Sequence, residues 1–377
     1  MMKIPVAKPY LDTEEAQNAY DTILTGWVTQ GPRVAEFEEK FAQYTGAEQA
    51  VAVSSCTTAL HLAMIVAGVQ TNDEVICPSM SYIATANSIR YVGAQPVFAE
   101  VNPKTYNLDI DYVKQLITPK TKAILLVHQI GMPADIDAFK ALCEEKDLVL
   151  IEDAACAIGS EYKGQKIGSH SDLVCFSFHP RKVITTGDGG MITTSREDYA
   201  KRLKLLRQHG MGVNDRVRHL SQKVIITDHL ELGYNYRMTD IQAAIGIKQL
   251  EKLDWIVSER RKVALQYHEA FKDIDFLRLP IEKEGYFSNY QSYSVYIKPE
   301  SPIERDELMQ KLLDKNISTR SGIMTAHRET AYLEYCNDLN LPISEEACDR
   351  SIVLPLYVPM KQEEITYVIT TLQNILA

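Results

Sequence analysis

The stretch Ser171-Asp-Leu-Val-Cys-Phe-Ser-Phe-His-Pro-Arg-Lys-Val-Ile-Thr-Thr-Gly-Asp-Gly-Gly-Met-Ile-Thr-Thr194 sets two strand-like runs, 173 to 178 and 190 to 194, on either side of one lysine, Lys182. The turn between them is built from Pro180, Gly187, Gly189 and Gly190. Apolar residues on both sides fix the path of the backbone, so the amine sits on a short, stiff loop where it is placed to react. A solvated lysine in a hairpin would show the same pattern, and this stretch alone does not separate the two readings.

Further short apolar runs lie upstream at 50 to 53, 74 to 76, 96 to 98, 123 to 127 and 148 to 151, and they lead to the run at 174 to 176 inside the quoted stretch. Runs without polar alternation are strands buried on both faces, and the helices between them imply parallel pairing with right-handed crossovers. The fold class is α/β, a sheet covered by helices. Residues 13 to 24 and 33 to 45 read as helices, the second with Val34, Phe37, Phe41 and Tyr44 at helical spacing. Beyond Glu197 the chain reads as mostly helical, interrupted by a polar excursion from Met211 to Asp228. A long helix from about Thr239 to Tyr267 follows. A strand at 293 to 297 and helices at 305 to 315 and 361 to 375 complete a smaller α+β unit. The expected division is residues 1–250 for the large domain and 251–377 for the small one.

The chain has 377 residues, 45% hydrophobic and 24% charged, which is enough to bury a sizeable core. A net charge of −10 without a basic block gives no electrostatic case for nucleic acid or an anionic membrane. Seven cysteines with no C-x-x-C pair fit reduced thiols, not a disulfide framework or a zinc cage, and no metal site is expected. The N-terminus lacks a signal-peptide pattern and no apolar stretch is long enough to span a bilayer, so a soluble, cytoplasmic protein is expected.

Ligands of open α/β sheets gather at the carboxyl ends of the strands. After the run 50 to 53 comes Ser54-Ser-Cys-Thr-Thr58, small hydroxyl residues opening an apolar helix. Its amides and the Thr57 and Thr58 hydroxyls would hold a phosphate, although ordinary N-capping explains the same residues. After 74 to 76 comes Tyr82, an aromatic able to stack on a flat ring or to fill a core. After 148 to 151 come Glu152 and Asp153. A carboxylate there is costly without a cation, and no basic residue stands beside Asp153 in sequence. A flat ring, a phosphate, a cationic ring nitrogen and an aldehyde that condenses with an amine are united in pyridoxal 5′-phosphate.

The chain resembles the sugar aminotransferases of the DegT/DnrJ/EryC1/StrS family over most of its length. The resemblance rests on Ser55-x-Thr57-x-Ala59-Leu60, Pro78-Ser-x-Ser-Tyr82, His128-x-x-Gly131-x-Pro133-Ala-Asp135, Glu152-Asp153-Ala-Ala, Phe176-Ser-Phe-His-Pro-x-Lys182, Gly187-x-Gly-Gly190 and Gly233-Tyr-Asn-Tyr-Arg-Met-Thr239. It implies the fold type I architecture of pyridoxal phosphate enzymes, a mostly parallel seven-stranded sheet with a smaller C-terminal α+β domain. It implies Lys182 as the lysine that condenses with the cofactor, Asp153 as the partner of the pyridine nitrogen and Tyr82 as the stacked aromatic. Thr57, Ser177 and adjacent backbone amides, Cys56 among them, match the phosphate ligands. Asn235 matches an asparagine that reaches the phosphate from the other subunit of a homodimer.

The implied reaction takes the amino group of L-glutamate, releases 2-oxoglutarate and delivers the amine to a nucleotide-linked (NDP) ketosugar, with the freed Lys182 amine as general base and acid. His179-Pro180 and Ile184-Thr-Thr-Gly look most like members acting at C4 of NDP-4-keto-6-deoxyhexoses, as in perosamine synthesis for lipopolysaccharide O-antigen or another glycoconjugate. Trp27, His179 and His327 are candidate substrate contacts, with structural roles as their alternative. Three positions depart from the family pattern: Cys156 for a Gln, Glu or His near the cofactor's phenolic oxygen, Gln129-Ile130 where an aromatic usually precedes Gly131, and Asp188 for Glu.

The competing readings are a C3 aminotransferase, a dehydratase on the same scaffold, a non-catalytic regulator and a nicotinamide oxidoreductase. The dehydratases carry His where Lys182 stands. A regulator predicts an appended DNA-binding segment, for which residues 1 to 12 leave no room. An oxidoreductase needs a glycine-rich turn where Ser54-Ser-Cys-Thr-Thr stands.

Overall fold

A computed structural model describes residues 3–213, 221–336 and 338–376. The large sheet contains β1 (Gln49–Val53), β2 (Glu74–Pro78), β3 (Gln95–Ala99), β4 (Thr121–Val127), β5 (Val149–Asp153), β8 (Leu173–Ser177) and β9 (Gly190–Thr194), in the order β1-β9-β8-β5-β4-β2-β3. The strands β8, β5, β4, β2 and β3 pair in parallel, and β9 runs antiparallel to both β8 and β1. The reversal of β9 follows from its connection. Residues 178–189 form a loop with no crossover helix, the kind of connection that joins antiparallel neighbours.

Successive residues of each strand feed opposite cores. Ala50 and Ala52 of β1, with Val174 and Phe176 of β8, join a cluster that includes Phe37 and Phe41 of the helix Pro32–Thr45. Val51, Val53 and Cys175 face the other way, onto Leu60 and Leu62 of the helix Cys56–Val66. Both faces are therefore dry, which is why the runs show no polar alternation. On the first face Phe41 meets Phe176 edge-on, with ring centroids 5.0 Å apart.

The helix expected from Thr239 to Tyr267 is two helices, Asp240–Glu251 and Leu253–Phe271. Thr239 caps the first by accepting from the Gln242 amide at 3.2 Å. The break falls at Lys252, whose Nζ is held by Asp12, Glu14 and Glu15 at 2.9, 3.2 and 2.8 Å. This ties the junction to the start of the helix Thr13–Leu24. The second helix serves two cores. Leu253, Ile256 and Val257 pack under the large sheet, whereas Val263, Tyr267 and Phe271 pack against a second sheet.

That second sheet is antiparallel, formed by β10 (Leu277–Arg278), β12 (Tyr293–Ile297), β14 (Ser351–Leu354) and β13 (Arg320–Ser321) in the order β10-β12-β14-β13. The helices Arg305–Asp314 and Gln362–Leu376 supply Leu308, Leu312, Val368 and Leu372 to its core. A small third sheet joins β11 (Tyr286–Phe287) to the hairpin of β6 (Glu161–Tyr162) and β7 (Gln165–Lys166). Part of the expected polar excursion, residues 214–220, lies outside the described residues; 211–213 and 221–228 carry no helix or strand.

Candidate active site

Asp153 is the last residue of β5, in register with Val127 of β4 and Cys175 of β8. It therefore lies at the carboxyl edge of three adjacent parallel strands, the place where such sheets bind ligands. The residue is only 5% exposed. Thr85 Oγ1 donates to its Oδ2 at 2.9 Å and the Ala155 amide donates to Oδ1 at 3.1 Å. No ion pair among the described residues reaches it. Burial pushes the Asp153 carboxyl up, against the opposing pull of the Ala155 amide, Thr85, Lys182 and His128. A buried carboxylate of this kind fits a ligand that brings its own cation, such as a protonated pyridine nitrogen.

Lys182 sits on the loop that leaves β8, and its amide donates to the His179 carbonyl at 2.8 Å. The loop does connect the two strands of an antiparallel pair, as a hairpin reading requires, but its lysine turns inward. The Lys182 Nζ donates to Cys156 Sγ at 3.1 Å. Burial works against the ammonium, yet Cys156 and Asp153 outweigh it and hold the amine's pKa above the ordinary lysine value.

A third feature lies beside these two. Ser55 is the N-cap of the helix Cys56–Val66, in a reciprocal capping box with Thr58. The capping reading thus accounts for Ser55 and Thr58. Thr57 is not part of the box, and its hydroxyl bonds to nothing among the described residues. Across the sheet from the helix opening, Val53, Gly190 and Ser177 stand in register at the ends of β1, β9 and β8. Ser177 is buried, and its Oγ accepts from the His179 amide at a long 3.4 Å. Helix amides, the Thr57 hydroxyl and the Ser177 hydroxyl make a cradle that suits a phosphate.

Tyr82 is 70% exposed. Its carbonyl accepts from the Thr85 amide at 3.0 Å, so the residue that holds Asp153 also closes the turn carrying Tyr82. Asn235 is exposed, on a segment whose neighbour Tyr236 accepts from the Ser54 amide at 2.9 Å, next to the helix opening. Cys56 is buried at the first position of that helix, where burial raises its thiol pKa well above the usual value.

The three candidate substrate contacts divide. His179 is partly exposed; its Nδ1 accepts from the Arg181 amide at 3.2 Å, which leaves the proton of the neutral ring on Nε2. Burial and the Arg181 charge hold its pKa down. Trp27 is partly buried, over Gly31. His327 is 3% exposed, with Nδ1 bonded to Ser79 Oγ at 2.5 Å and Nε2 to Glu345 at 3.0 Å. Both ring nitrogens are committed, and the structure gives His327 the part of a bolt between β2 and the helix Pro342–Arg350, not that of an open contact.

The three departures also find places. Cys156 lies against Lys182. Gln129 is buried, with its amide nitrogen donating to the Met80 carbonyl, and Ile130 takes a left-handed conformation at φ 51°, unusual for a β-branched residue. Asp188 is exposed and accepts from the Gly189 amide at 2.9 Å.

Four further residues contribute without a role assigned from sequence; His128 opens one of the motifs quoted above, whereas Thr85, Asn289 and Gln291 carry no signal in the sequence that would separate them from other polar residues. Thr85 holds Asp153. His128 supports the same strand end, its amide donating to the Asp153 carbonyl at 3.1 Å and its Nε2 bonded to Glu152 at 2.7 Å. Asn289 donates to the carbonyls of Cys156 and Ile158 at 2.9 and 2.7 Å, and Gln291 to the Arg181 carbonyl at 3.0 Å. The last two come from more than 100 positions away in the chain, and only the fold brings them to the site.

Comparison with known proteins places this geometry in context. A family model described as the DegT/DnrJ/EryC1/StrS aminotransferase family matches residues 9–373. The uncharacterized protein MJ1066 of Methanocaldococcus jannaschii is 35% identical over 377 residues, covering 99% of this chain and 98% of its own. Spr1654 from Streptococcus pneumoniae, solved in a PLP form and in PMP and apo forms, is 30% identical, with a TM-score of 0.92 for the PLP form and all of both chains covered. Helicobacter pylori PseC, an aminotransferase involved in the biosynthesis of pseudoaminic acid, is 26% identical at a TM-score of 0.92, with 100% of this chain and 99% of PseC covered.

Proposed function

This chain belongs to the DegT/DnrJ/EryC1/StrS aminotransferase family, and from that premise we propose its substrate, its site residues and its assembly. The enzyme is a pyridoxal-phosphate-dependent sugar aminotransferase of fold type I. In our reading it moves the amino group of L-glutamate to C4 of an NDP-4-keto-6-deoxyhexose, in the making of an aminosugar for a surface glycoconjugate. The observation that carries the site assignment is that buried Asp153 at the end of β5 and inward-turned Lys182 on the loop after β8 lie within electrostatic reach of each other.

The bound cofactor supplies an aldehyde that captures the amino group and a ring that takes up electrons from the carbon losing its proton. The protein's own residues do the rest. Asp153, oriented by Thr85 and the Ala155 amide, stays ionised against a ring cation and holds it in place. The helix opening at Cys56, the Thr57 hydroxyl and Ser177 bind the phosphate and fix the ring's direction. Tyr82 covers one face and excludes water. Lys182, once its amine is free, takes a proton from one carbon and returns it at another, on a loop short enough to keep that amine in reach. His179 offers its Nε2 hydrogen to the sugar, and Trp27 stands as a second sugar contact.

A homodimer with shared sites completes the reading, with Asn235 of each subunit serving the phosphate of the other. Supporting it, the segment that leads to Asn235 exposes Val224 and Ile226, 95% and 91% accessible, together with Leu230 and Leu232. Large apolar side chains left this exposed along one segment are in keeping with a surface that is covered on assembly. Mixing a Lys182→Ala preparation with an Asn235→Ala preparation under subunit exchange then restores part of the activity, because one site in each mixed dimer carries neither change. No recovery would argue for sites built within one chain. We place the reaction in the cytoplasm, in keeping with seven free cysteines; no helix among the described residues is long and apolar enough to cross a membrane.

The substrate is tested directly by offering 3-keto and 4-keto NDP-6-deoxyhexoses with L-glutamate and locating the new amine by NMR. Amine at C4 supports the proposal. Turnover of the 3-keto sugar alone would replace it with the C3 reading, and dehydration without amine transfer would replace it with the dehydratase.

A further inference from the structure

We infer that Cys156 is the proton partner of Lys182, a thiol set against the amine by a clamp that reaches in from the C-terminal part of the chain. The inference rests on Lys182 being the reactive lysine. Its geometric basis is the 3.1 Å contact between Nζ and Sγ and the way both ends of that contact are held. Asn289 is fully buried, and its side-chain amide donates to the Cys156 carbonyl at 2.9 Å and to the Ile158 carbonyl at 2.7 Å. Two residues on, Gln291 donates to the carbonyl of Arg181, the residue before the lysine, at 3.0 Å. The Gln291 amide in turn donates to Asn289 Oδ1 at 2.8 Å. One short segment thus grips the backbone beside the sulfur and the backbone beside the nitrogen. Gly131 leaves room for it, since a Cβ there would stand 2.0 Å from Asn289 Oδ1.

The chemistry follows from the two acidities. A thiol ionises near 8.5 and a lysine near 10.4, so a close pair that shares one proton in water rests as ammonium and thiolate. Moving one proton from Nζ to Sγ converts ammonium and thiolate into amine and thiol, with no change in net charge and no other reactant. The product is the neutral amine that a general base must be; burial favours the uncharged pair, while Cys156 and Asp153 hold the resting amine protonated until the proton is moved. The other ionisable groups facing the pair are Asp153 at the end of β5, Cys56 at the helix opening, Cys175 behind Cys56 and His179 on the lysine's own loop. Among the described residues, only Cys156 forms a hydrogen bond with Nζ. Cys156 is therefore a positioning and proton-holding residue that acts through Lys182.

The test begins with cofactor-free protein. The pH dependence of iodoacetamide alkylation at Cys156, followed on its peptide by mass spectrometry, is measured in the unchanged protein and in Lys182→Met. A midpoint lower by about one pH unit or more when the lysine is present supports the pairing; coincident profiles overturn it. With cofactor, Cys156→Ser is expected to keep borohydride fixation at Lys182 and a KM for L-glutamate within about twofold, while kcat falls at least about tenfold and its rising limb moves to higher pH. A superimposable kcat profile with intact fixation would refute the inference and leave the aminotransferase reading standing. Loss of fixation in the unchanged protein would instead refute that reading. Gln291→Ala, which removes only the Arg181 side of the clamp, is expected to shift the alkylation midpoint toward the Lys182→Met value, and an unmoved midpoint would remove the clamp from the account.

Discussion

Gly190 of β9 lies so close to Ser55 that a Cβ on the glycine would stand 2.5 Å from the Ser55 carbonyl carbon and oxygen and 2.7 Å from the Cys56 nitrogen. Those atoms are backbone, at the cap and first turn of the helix that opens onto the phosphate cradle, and they have no flexible end to yield. Gly190→Ala is therefore expected to push the helix opening off the sheet. Stability falls by about 1–3 kcal/mol, the usual cost of overpacking, and the dissociation constant for pyridoxal phosphate rises at least about tenfold, the loss of one charge-assisted hydrogen bond. Thermal melts and a fluorescence titration with cofactor check the two effects. A destabilised variant with unchanged cofactor affinity would remove the helix opening from the binding site.

The pair His128 and Glu152 supports the other side of the site from within the sheet. Both side chains are fully buried and 2.7 Å apart, and His128 Nδ1 accepts from the Ala134 amide at 3.0 Å, which fixes the tautomer with its proton toward Glu152. Burial raises the Glu152 pKa, but the His128 bond outweighs it and the carboxyl titrates below its ordinary value. Its stabilising contribution is therefore complete above the unfolded pKa of about 4.3 and is lost as pH falls through the lower folded value. His128→Ala strands the carboxylate and is expected to cost about 3–5 kcal/mol at pH 7. In that variant burial acts without the histidine and raises the Glu152 pKa, so acidification toward pH 5 lets the carboxyl take up a proton and narrows the gap to the unchanged protein. Urea denaturation at the two pH values measures both numbers. A gap that widens on acidification would contradict the assignment.

Asp153→Asn separates charge from shape. The asparagine oxygen still accepts from the Ala155 amide and its NH2 donates to Thr85 Oγ1, whose own proton turns to Ser81, so the fold is expected to survive, but the neutral amide does not balance a ring cation. The rate of amine transfer is expected to fall by on the order of 10²–10³-fold, the scale of removing one charge-stabilising group from an active site. Stopped-flow half-reactions with L-glutamate read this loss directly, and a circular dichroism spectrum matching the unchanged protein shows that it is not a folding effect. An equal rate would mean that Asp153 faces something other than the ring nitrogen.

How much of this was legible in the sequence differs from element to element. The parallel strands were plain because both sheet faces are dry, which leaves uninterrupted apolar runs such as Leu125 to Val127. The direction of β9 was not, since a strand of this length reads alike in either sense and only the short loop after Ser177 decides it. The break at Lys252 was hidden because apolar spacing continues across it, and the three carboxylates that hold Lys252 there come from the start of the first helix, some 240 positions away. Lys182, Asp153 and Tyr82 stood out because each occupies a strand end or loop where its residue type is chemically costly or conspicuous. Asn289 and Gln291 did not, because an amide in a loop is commonplace and its importance arises only from the carbonyls it meets. His327 stood out for its residue type, and its burial between Ser79 and Glu345 shows how little residue type says about exposure.

The central claim is that Lys182 is the amine that captures the cofactor, and one measurement bears on it most directly. Purified protein loaded with pyridoxal phosphate is reduced with borohydride, digested and mapped by mass spectrometry, alongside Lys182→Ala treated in the same way. The account predicts a reduced cofactor adduct on the peptide containing Lys182, and an absorption band that is absent from the alanine variant. An adduct on another lysine, or an unchanged covalent band in Lys182→Ala, would contradict it.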